Sequence, residues 1–168
     1  GKITGEVDKQ YVEFLLKTNG ASILDYCFLG LKNHTLGVNV YDNMRELWQS
    51  DCLLTFRFWG IVGTSSGENF GYIDEKDSSG NHYIGYYSAN EPEHVYLVAS
   101  SFNIFMDKFL KQVEASLAID KNAIYIDNDW FLNPQKLIID DIEMAQYLQS
   151  QETSEYNLLD RKFDKRKY

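Results

Sequence analysis

The sequence predicts an α+β fold: a bent, mostly antiparallel sheet of about six strands, a β-meander, packed by one long amphipathic helix and flanked by shorter helices. Three observations carry this. Between Phe56 and Ala99, runs of β-branched and aromatic residues such as Phe58-Trp59-Gly60-Ile61-Val62 and His82-Tyr83-Ile84-Gly85-Tyr86-Tyr87 are split by Gly, Asn, Asp and Ser, the pattern of successive hairpins. Phe102, Phe105, Met106, Phe109, Leu110, Val113 and Leu117 then recur at helical spacing, so they form one apolar stripe that has to be buried against something. The 168 residues, 44% hydrophobic and 15% aromatic, suffice for the core of one domain. A sheet face and a helix stripe together make a two-layer domain.

Taken in order, Asp8 is the expected N-cap of a helix reaching Thr18, and Asn19-Gly20 stops it, because both residues accept the left-handed backbone that closes a helix. Ile23 to Leu31 and Leu36 to Tyr41 read as strands around a turn at Lys32-Asn33-His34. Asp42 is expected to cap a short helix, Asn43 to Gln49, that turns Met44, Leu47 and Trp48 inward, and Leu53 to Val62 to return as a buried strand. Asn69 to Asp74 and His82 to Tyr87 follow as strands joined through Asp77-Ser78-Ser79-Gly80-Asn81, residues that tolerate φ > 0 and predict a tight hairpin loop. Glu93 to Ala99 is the next strand, and Ser100 or Ser101 the N-cap of the helix from Phe102 to Leu117. Beyond it, Ala123 to Ile126 predicts a strand, Asn133-Pro134 a turn, and Asp140 with Glu143 a capping-box-like start to a helix through about Gln149. The domain is expected over residues 1–150, and 151–168 to be a polar and basic extension, helical at first and fraying into a mobile terminus.

Charge is unevenly shared. The net charge is −9, yet the last eight residues hold Arg161, Lys162, Lys165, Arg166 and Lys167 against Asp164, net +4, which leaves −13 on residues 1–160. Such a body repels nucleic acid and attracts basic partners, and it also keeps a protein in solution. Cys27 and Cys52 both stand in apolar runs and read as buried free thiols, not as a disulfide framework. No run approaches the ~18 consecutive apolar residues of a membrane span and no signal-peptide core opens the chain, so a cytoplasmic protein with no membrane partner is expected.

Motifs for chemistry are weak. Gly63-Thr64-Ser65-Ser66-Gly67 follows a strand but lacks the Lys of a phosphate loop and the helix after it, so a plain strand connection is the better reading. Glu75 to Gly80 resembles a calcium loop only until its twelfth position, where Tyr86 stands in place of a carboxylate, and Asp127-Asn128-Asp129 places Phe131 and Leu132 where a ligand and a Gly belong. His34, His82 and His94 have no zinc spacing, and no nucleophile elbow occurs. No catalytic residue, metal or cofactor is therefore expected. What remains is binding surface. Glu68, Asp74, Glu75, Asp77, Glu91 and Glu93 lie in or beside the meander loops, interleaved with Phe70, Tyr72, Tyr86 and Tyr87. Acidic groups steer a basic partner and exposed aromatics anchor it; the other reading is a solvated rim whose aromatics face the core. Trp48 and Trp59 are further candidates, each more readily a core residue.

One resemblance covers Tyr11 to Leu117. Tyr11-Val12-Glu13-Phe14-Leu15-Leu16-Lys17-Thr18-Asn19-Gly20, the strand Asn69-Phe70-Gly71-Tyr72-Ile73-Asp74, and Val98-Ala99-Ser100-Ser101-Phe102 leading into Phe105-Met106-Asp107-Lys108-Phe109-Leu110 resemble the SUKH superfamily. That superfamily includes fungal cell-wall assembly regulators and bacterial immunity proteins against secreted toxins. The resemblance implies a non-enzymatic immunity protein that occludes the active site of a cognate toxin, such as a nuclease or deaminase. The acidic body suits a basic toxin, and a homodimer is compatible with it. Two alternatives stand beside this: a regulatory scaffold that binds proteins of its own cell, and a small-molecule-binding domain or hydrolase built on the Gly63–Gly71 loop.

Overall fold

The strands join in chain order into one antiparallel sheet in the computed structural model, which describes residues 8–32, 39–49, 58–91, 94–150 and 158–159. They are β1 (Ala21–Ile23), β2 (Tyr26–Phe28), β3 (Trp59–Gly63), β4 (Glu68–Lys76), β5 (His82–Ser88), β6 (Val95–Ala99) and β7 (Leu158–Leu159). The helices are α1 (Lys9–Lys17), α2 (Val40–Gln49), α3 (Phe102–Ile119), two single turns α4 (Asp129–Leu132) and α5 (Pro134–Leu137), and α6 (Ile142–Gln149). The expected α+β meander is therefore present, with its central pairs β3–β4–β5–β6 the most extensive.

Both faces of the central strands are covered. Val62, Phe70, Tyr86 and Tyr96 stand opposite one another across β3 to β6, and on this face α3 lays down Phe102, Phe105, Phe109 and Val113, all buried. The ring of Phe70 lies 5.0 Å from that of Phe105. Leu110 and Leu117, at the margin of the stripe, stay 41% and 39% exposed. On the other face Gly60, Gly71 and Gly85 are mutually opposite. The missing side chain of Gly60 lets α2 approach, and Asn43 Nδ2 donates to Gly60 O (3.0 Å) and Asn69 Oδ1 (3.2 Å), whereas a Cβ on Gly71 or Gly85 would meet Phe58 or Val95. With both faces dry, β3 is buried throughout and β5 at six of seven positions, a pattern of continuous runs in place of alternation.

Two buried carboxylates fasten helices to this sheet. Asp8 caps α1 by accepting from Tyr11 N (2.8 Å), as expected, and its second oxygen accepts from His82 N on β5 (3.2 Å). Asp141 caps α6 through Met144 N (3.1 Å) and also accepts from Ser100 N (2.9 Å) and Ser100 Oγ (2.5 Å) at the end of β6. Ser101, the second of the two expected serines, caps α3.

Several local expectations are corrected. Ile23 to Leu31 is not one strand: β1 and β2 form a hairpin about Leu24-Asp25, with Leu24 at φ 54. Neither turn residue is Gly or Asn; the turn is held from outside, Asp25 N donating to Ile124 O (3.0 Å). Val40 and Tyr41 begin α2 instead of ending a strand. Asn39, not Asp42, occupies the cap, accepting from Asp42 N (2.9 Å) and donating to its carboxylate (3.0 Å). Ala123 to Ile126 is irregular, its Ile126 N–H donating to the Tyr26 hydroxyl (3.2 Å) instead of to a strand. Asn133 caps α5, with Pro134 in its first turn, so two helical turns abut where a plain turn was expected. Asp140 sits at φ 55 before the cap, one residue earlier than α6 requires. Leu158 and Leu159 pair with β6 where a helical extension was expected. The strand and turn expected within residues 33–38, the start of the Leu53–Val62 strand and Cys52 lie outside the described residues. No helix among the described residues is long and apolar enough to cross a membrane.

Two glycines should fail for different reasons. A Cβ on Gly71 would lie 2.1 Å from the Trp59 carbonyl oxygen, whereas at Gly80 nothing lies within 4 Å but φ is +82. Gly71→Ala is expected to cost about 3 kcal/mol through overpacking and Gly80→Ala about 1–2 kcal/mol through its left-handed backbone, as read from urea midpoints. Equal losses would contradict the close approach at Gly71. Burial also pushes the phenols of Tyr11, Tyr72 and Tyr86 well above the ordinary value of 10, and those of Tyr26 and Tyr83 to about 12. Above pH 10 the unfolded chain loses protons that the native state keeps, so stability falls as pH rises. Tyrosinate absorbance from these residues should therefore appear together with loss of ellipticity, not ahead of it.

Candidate functional site

The aromatics named from the sequence do not reach solvent. Phe70, Tyr72, Tyr86 and Tyr87 are 1%, 2%, 7% and 6% exposed, and Trp59 is buried with its ring stacked on Tyr72. An alternation of exposed acids and aromatics needs one wet sheet face, and this sheet has none at its centre. These five residues are core. The side chain of Trp48 and the whole of Glu93 fall outside what is described.

The acidic residues divide between opposite ends of the sheet. Glu68 opens β4 and Lys76 closes it, which at 3.3 Å per residue separates Glu68 from Asp77 by roughly 25–30 Å. At the far end Asp77 is consumed by its own hairpin, accepting from Ser79 N (2.9 Å), Asn81 N (2.8 Å) and Asn81 Nδ2 (3.0 Å). The adjacent Ser78 hydroxyl donates to Glu143 of α6. The tight hairpin loop expected there is present, with Gly80 at positive φ. Asp74 and Glu75 flank it, where four β4 steps from Tyr72 to Lys76 oppose two on β5 and bend the strand.

The near end holds the more suggestive arrangement. It gathers the Leu24-Asp25 turn, the Thr64–Gly67 hairpin, Ser88 to Glu91, and Ile124 to Asp129. Asp25 accepts from Ser65 N (3.2 Å) and Ser65 Oγ (2.7 Å), and Ala89 N donates to Gly67 O (3.2 Å). Glu68 accepts from the Tyr86 hydroxyl, and Asn128 Nδ2 stands 3.5 Å from both. Tyr96 donates to Glu91 (2.9 Å). A recess of about 220 Å³ opens here, lined by Tyr26, Ser66, Glu68, Asn90, Tyr125 and Ile126. Beside it Ile124 and Tyr125 are 56% and 38% exposed. Asp25, Glu91 and Asp127 belong to these segments, which contain no Lys, Arg or His, and Glu68 adjoins them at the start of β4; Asp129 is engaged by Lys136.

Local bonding shapes this rim's electrostatics. The Ser65 hydroxyl, aided by Tyr125 and the Ser65 N–H, holds the Asp25 carboxyl below its usual range despite some burial. Burial, and then the bond to Glu68, pushes the Tyr86 phenol up, so it remains a donor to the carboxylate. The N–H groups of Thr64, Ser65 and Gly67 are spent on Glu68 O, Asp25 and Thr64 O, which makes the Gly63–Gly71 stretch a hairpin connection and not a phosphate cradle. The Cys27 thiol is buried. Among the described residues no group of three or more His, Cys, Asp and Glu is placed to hold a metal ion. A larger hollow of about 740 Å³ lies between α4–α5 and α6, lined by Leu132, Pro134, Ile138, Ala145 and Leu148 among others; it contains none of the partner-binding residues expected from the sequence.

Sequence reasoning found Glu68 and Glu91 and missed Asp25, Asn90, Tyr125 and Asp127 as members of the same rim. Their union spans 100 residues of chain, the separation of Tyr26 from Ile126, and no local pattern announces it.

The three stretches on which the SUKH resemblance rests fall on α1, on β4 and on the passage from β6 into α3. Over residues 5–108, more than half of its length, the chain matches the SMI1 / KNR4 family (SUKH-1). It belongs to that family. No curated protein and no solved structure matches it. The matched region runs from α1 into α3; the rim segment Ile124–Asp129 and β7 lie beyond it.

Removing one partner of the rim's central bond should cost more than weakening it. Tyr86→Phe leaves the half-buried Glu68 carboxylate without its hydroxyl donor and is expected to lose about 1–3 kcal/mol. Glu68→Gln keeps an acceptor and should lose less. Thermal or urea unfolding of the two variants checks the order.

Proposed function

We propose that this chain is an immunity protein that binds a cognate secreted toxin domain and neutralises it by covering its active site. Family membership makes the class available, since the SUKH resemblance includes immunity proteins. The observation that carries the choice is the near-end rim. There Glu68 lines a recess, and Asp25, Glu91 and Asp127 stand on the neighbouring loop segments, which hold no basic residue. Ile124 and Tyr125 offer exposed apolar area next to them. This is the complement of a basic surface, such as that of a toxin domain that seeks nucleic acid. Charge speeds the encounter, and a basic side chain seated in the recess beside Glu68, with apolar cover around it, slows dissociation. The protein acts by occlusion, with no chemistry of its own, and it works in the cytoplasm, where such a toxin acts.

The proposal narrows the surface expected from the sequence to its near-end members. Asp77 is a poor probe, because its carboxylate holds a turn. Two experiments test the reading. Co-expression with a toxin domain encoded beside this gene should restore growth and yield a stoichiometric complex; persistent toxicity with no complex would sink the immunity role. In that complex, the double variant Glu91→Lys with Asp127→Lys is expected to weaken affinity about tenfold or more, largely through the association rate. Asp74→Lys with Glu75→Lys at the opposite end should leave affinity unchanged. The reverse order would move the contact face to the far end.

A further inference from the structure

The helices that follow α3 bury one side and leave an apolar side outside. Leu137 of α5 and Met144 of α6 are wholly buried, and Lys108 Nζ ties α5 to α3 by donating to Leu137 O (2.6 Å). With those residues turned inward, Ile138, Ile139 and Ile142 face solvent together with Leu132 of α4, each of the four 40–76% exposed. Four such side chains present on the order of 400 Å² of apolar surface, the size of the largest patch on an ordinary monomer and one that commonly marks a contact. Helix formation does not ask for Ile142 at the start of α6, since β-branched residues are mediocre helix formers.

Shape and charge decide what covers this face. The hollow of about 740 Å³ is walled by Leu132, Pro134, Ile138, Ala145 and Leu148. Ile142 stands one turn before Ala145 on the same side of α6, and Ile139 follows Ile138, so projecting isoleucines border the recess. A two-fold axis sets a patch against itself, which needs a knob beside a hole; here the isoleucines of one copy can enter the hollow of the other, twice over. The bordering charges are balanced, Asp129 with Lys136 and Asp140 with Lys111. Two copies of a chain of net charge −9 meet at least cost where both signs are interleaved, whereas a basic partner is drawn to the acidic rim. Residues 151–157, next in the chain after α6, bring Tyr156 as their one large apolar side chain against two glutamates, too little to cover the patch.

We propose that two copies of this chain pair through the α4–α6 face, Ile139 and Ile142 of each seated in the hollow of the other. With on the order of 400 Å² of apolar area per copy, the contact falls short of the ~800 Å² per partner of a standard interface. The dimer is therefore weak and comes apart on dilution. The pairing does not rest on the immunity reading.

Sedimentation velocity of the intact chain from about 1 μM to about 1 mM, the range of weak association, tests this. The mean mass is expected to climb from monomer towards dimer. Raising salt from about 0.05 M to about 0.5 M should tighten the dimer, because screening relieves the repulsion between two acidic chains and leaves apolar contact untouched. Ile139→Glu and Ile142→Glu should each raise the dissociation constant about tenfold or more, as expected for the anchors of a small contact. Leu16→Glu, at a site 82% exposed on α1, should leave it unchanged. All three sites are exposed, and circular dichroism of each variant checks that it folds. A monomer at every concentration would overturn the proposal and hand the face to a different protein or to later residues of the same chain. A dimer that salt dissociates, that neither isoleucine variant weakens, or that Leu16→Glu weakens as much would also overturn it, by placing the contact elsewhere.

Discussion

Phe70 is the point on which the packing turns. Its ring lies within 5.0–6.4 Å of Phe105 and Phe109 on α3, Tyr86 on β5, Tyr26 on β2 and Phe131 on α4. One side chain thereby couples two other strands, the long helix and the first of the short turns that follow it. Aromatic pairs at these separations add specific edge and face contacts to the area they bury. The cluster fixes how far α3 can sit above the sheet and where the chain must return after it. The segment from Ile124 to Phe131 reaches the near end of the meander because Phe131 has to close this cluster.

That return is what assembles the rim. Once Trp130 and Phe131 are buried, the residues just before them are drawn across the β1–β2 turn and the end of β4. There, Asp25 N bonds to Ile124 O, Tyr26 receives the Ile126 N–H, and Asn128 approaches Glu68. An acidic surface of this kind is thus a by-product of core formation placed at the loop end, where backbone groups are satisfied locally and carboxylates can remain at the surface. The opposite end is occupied differently. Asp8 and Asp77 there serve caps and turns, which removes Asp8 from solvent and commits Asp77.

The glycine row on the second face is the other side of the same arrangement. With α3 filling one face, α2 reaches the other at Gly60, where no side chain intervenes, and Asn43 meets the Asn69 side chain beside it. A Cβ on Gly60 would stand 2.6 Å from both Leu47 Cδ1 and Asn43 Nδ2. Burial on both faces explains why aromatic residues that alternate along β4 and β5 all end inside. It also explains the raised phenol ionisation of Tyr72 and Tyr86.

The elements whose signal is local are legible in the residues alone. The α3 stripe from Phe102, the Asp8 and Ser101 caps, the Asp77–Asn81 hairpin and the order of the central strands follow from periodicity, capping oxygens and residues that accept positive φ. The short motifs in the same stretch carry the family. Tertiary structure alone decided the rest, because those features depend on partners distant in the chain. Leu24 turns at positive φ because Asp25 is held by Ile124 and Ser65. Asp141, not Asp140, caps α6 because its carboxylate must also meet Ser100. Tyr86 and Phe70 became core because helices cover both faces of the sheet, and the acids named from one stretch were parted by the length of β4 and joined instead to Asp25 and Asp127. Local pattern specifies a segment's conformation. Which side chains share a surface is set by the long-range packing that folds the segments together.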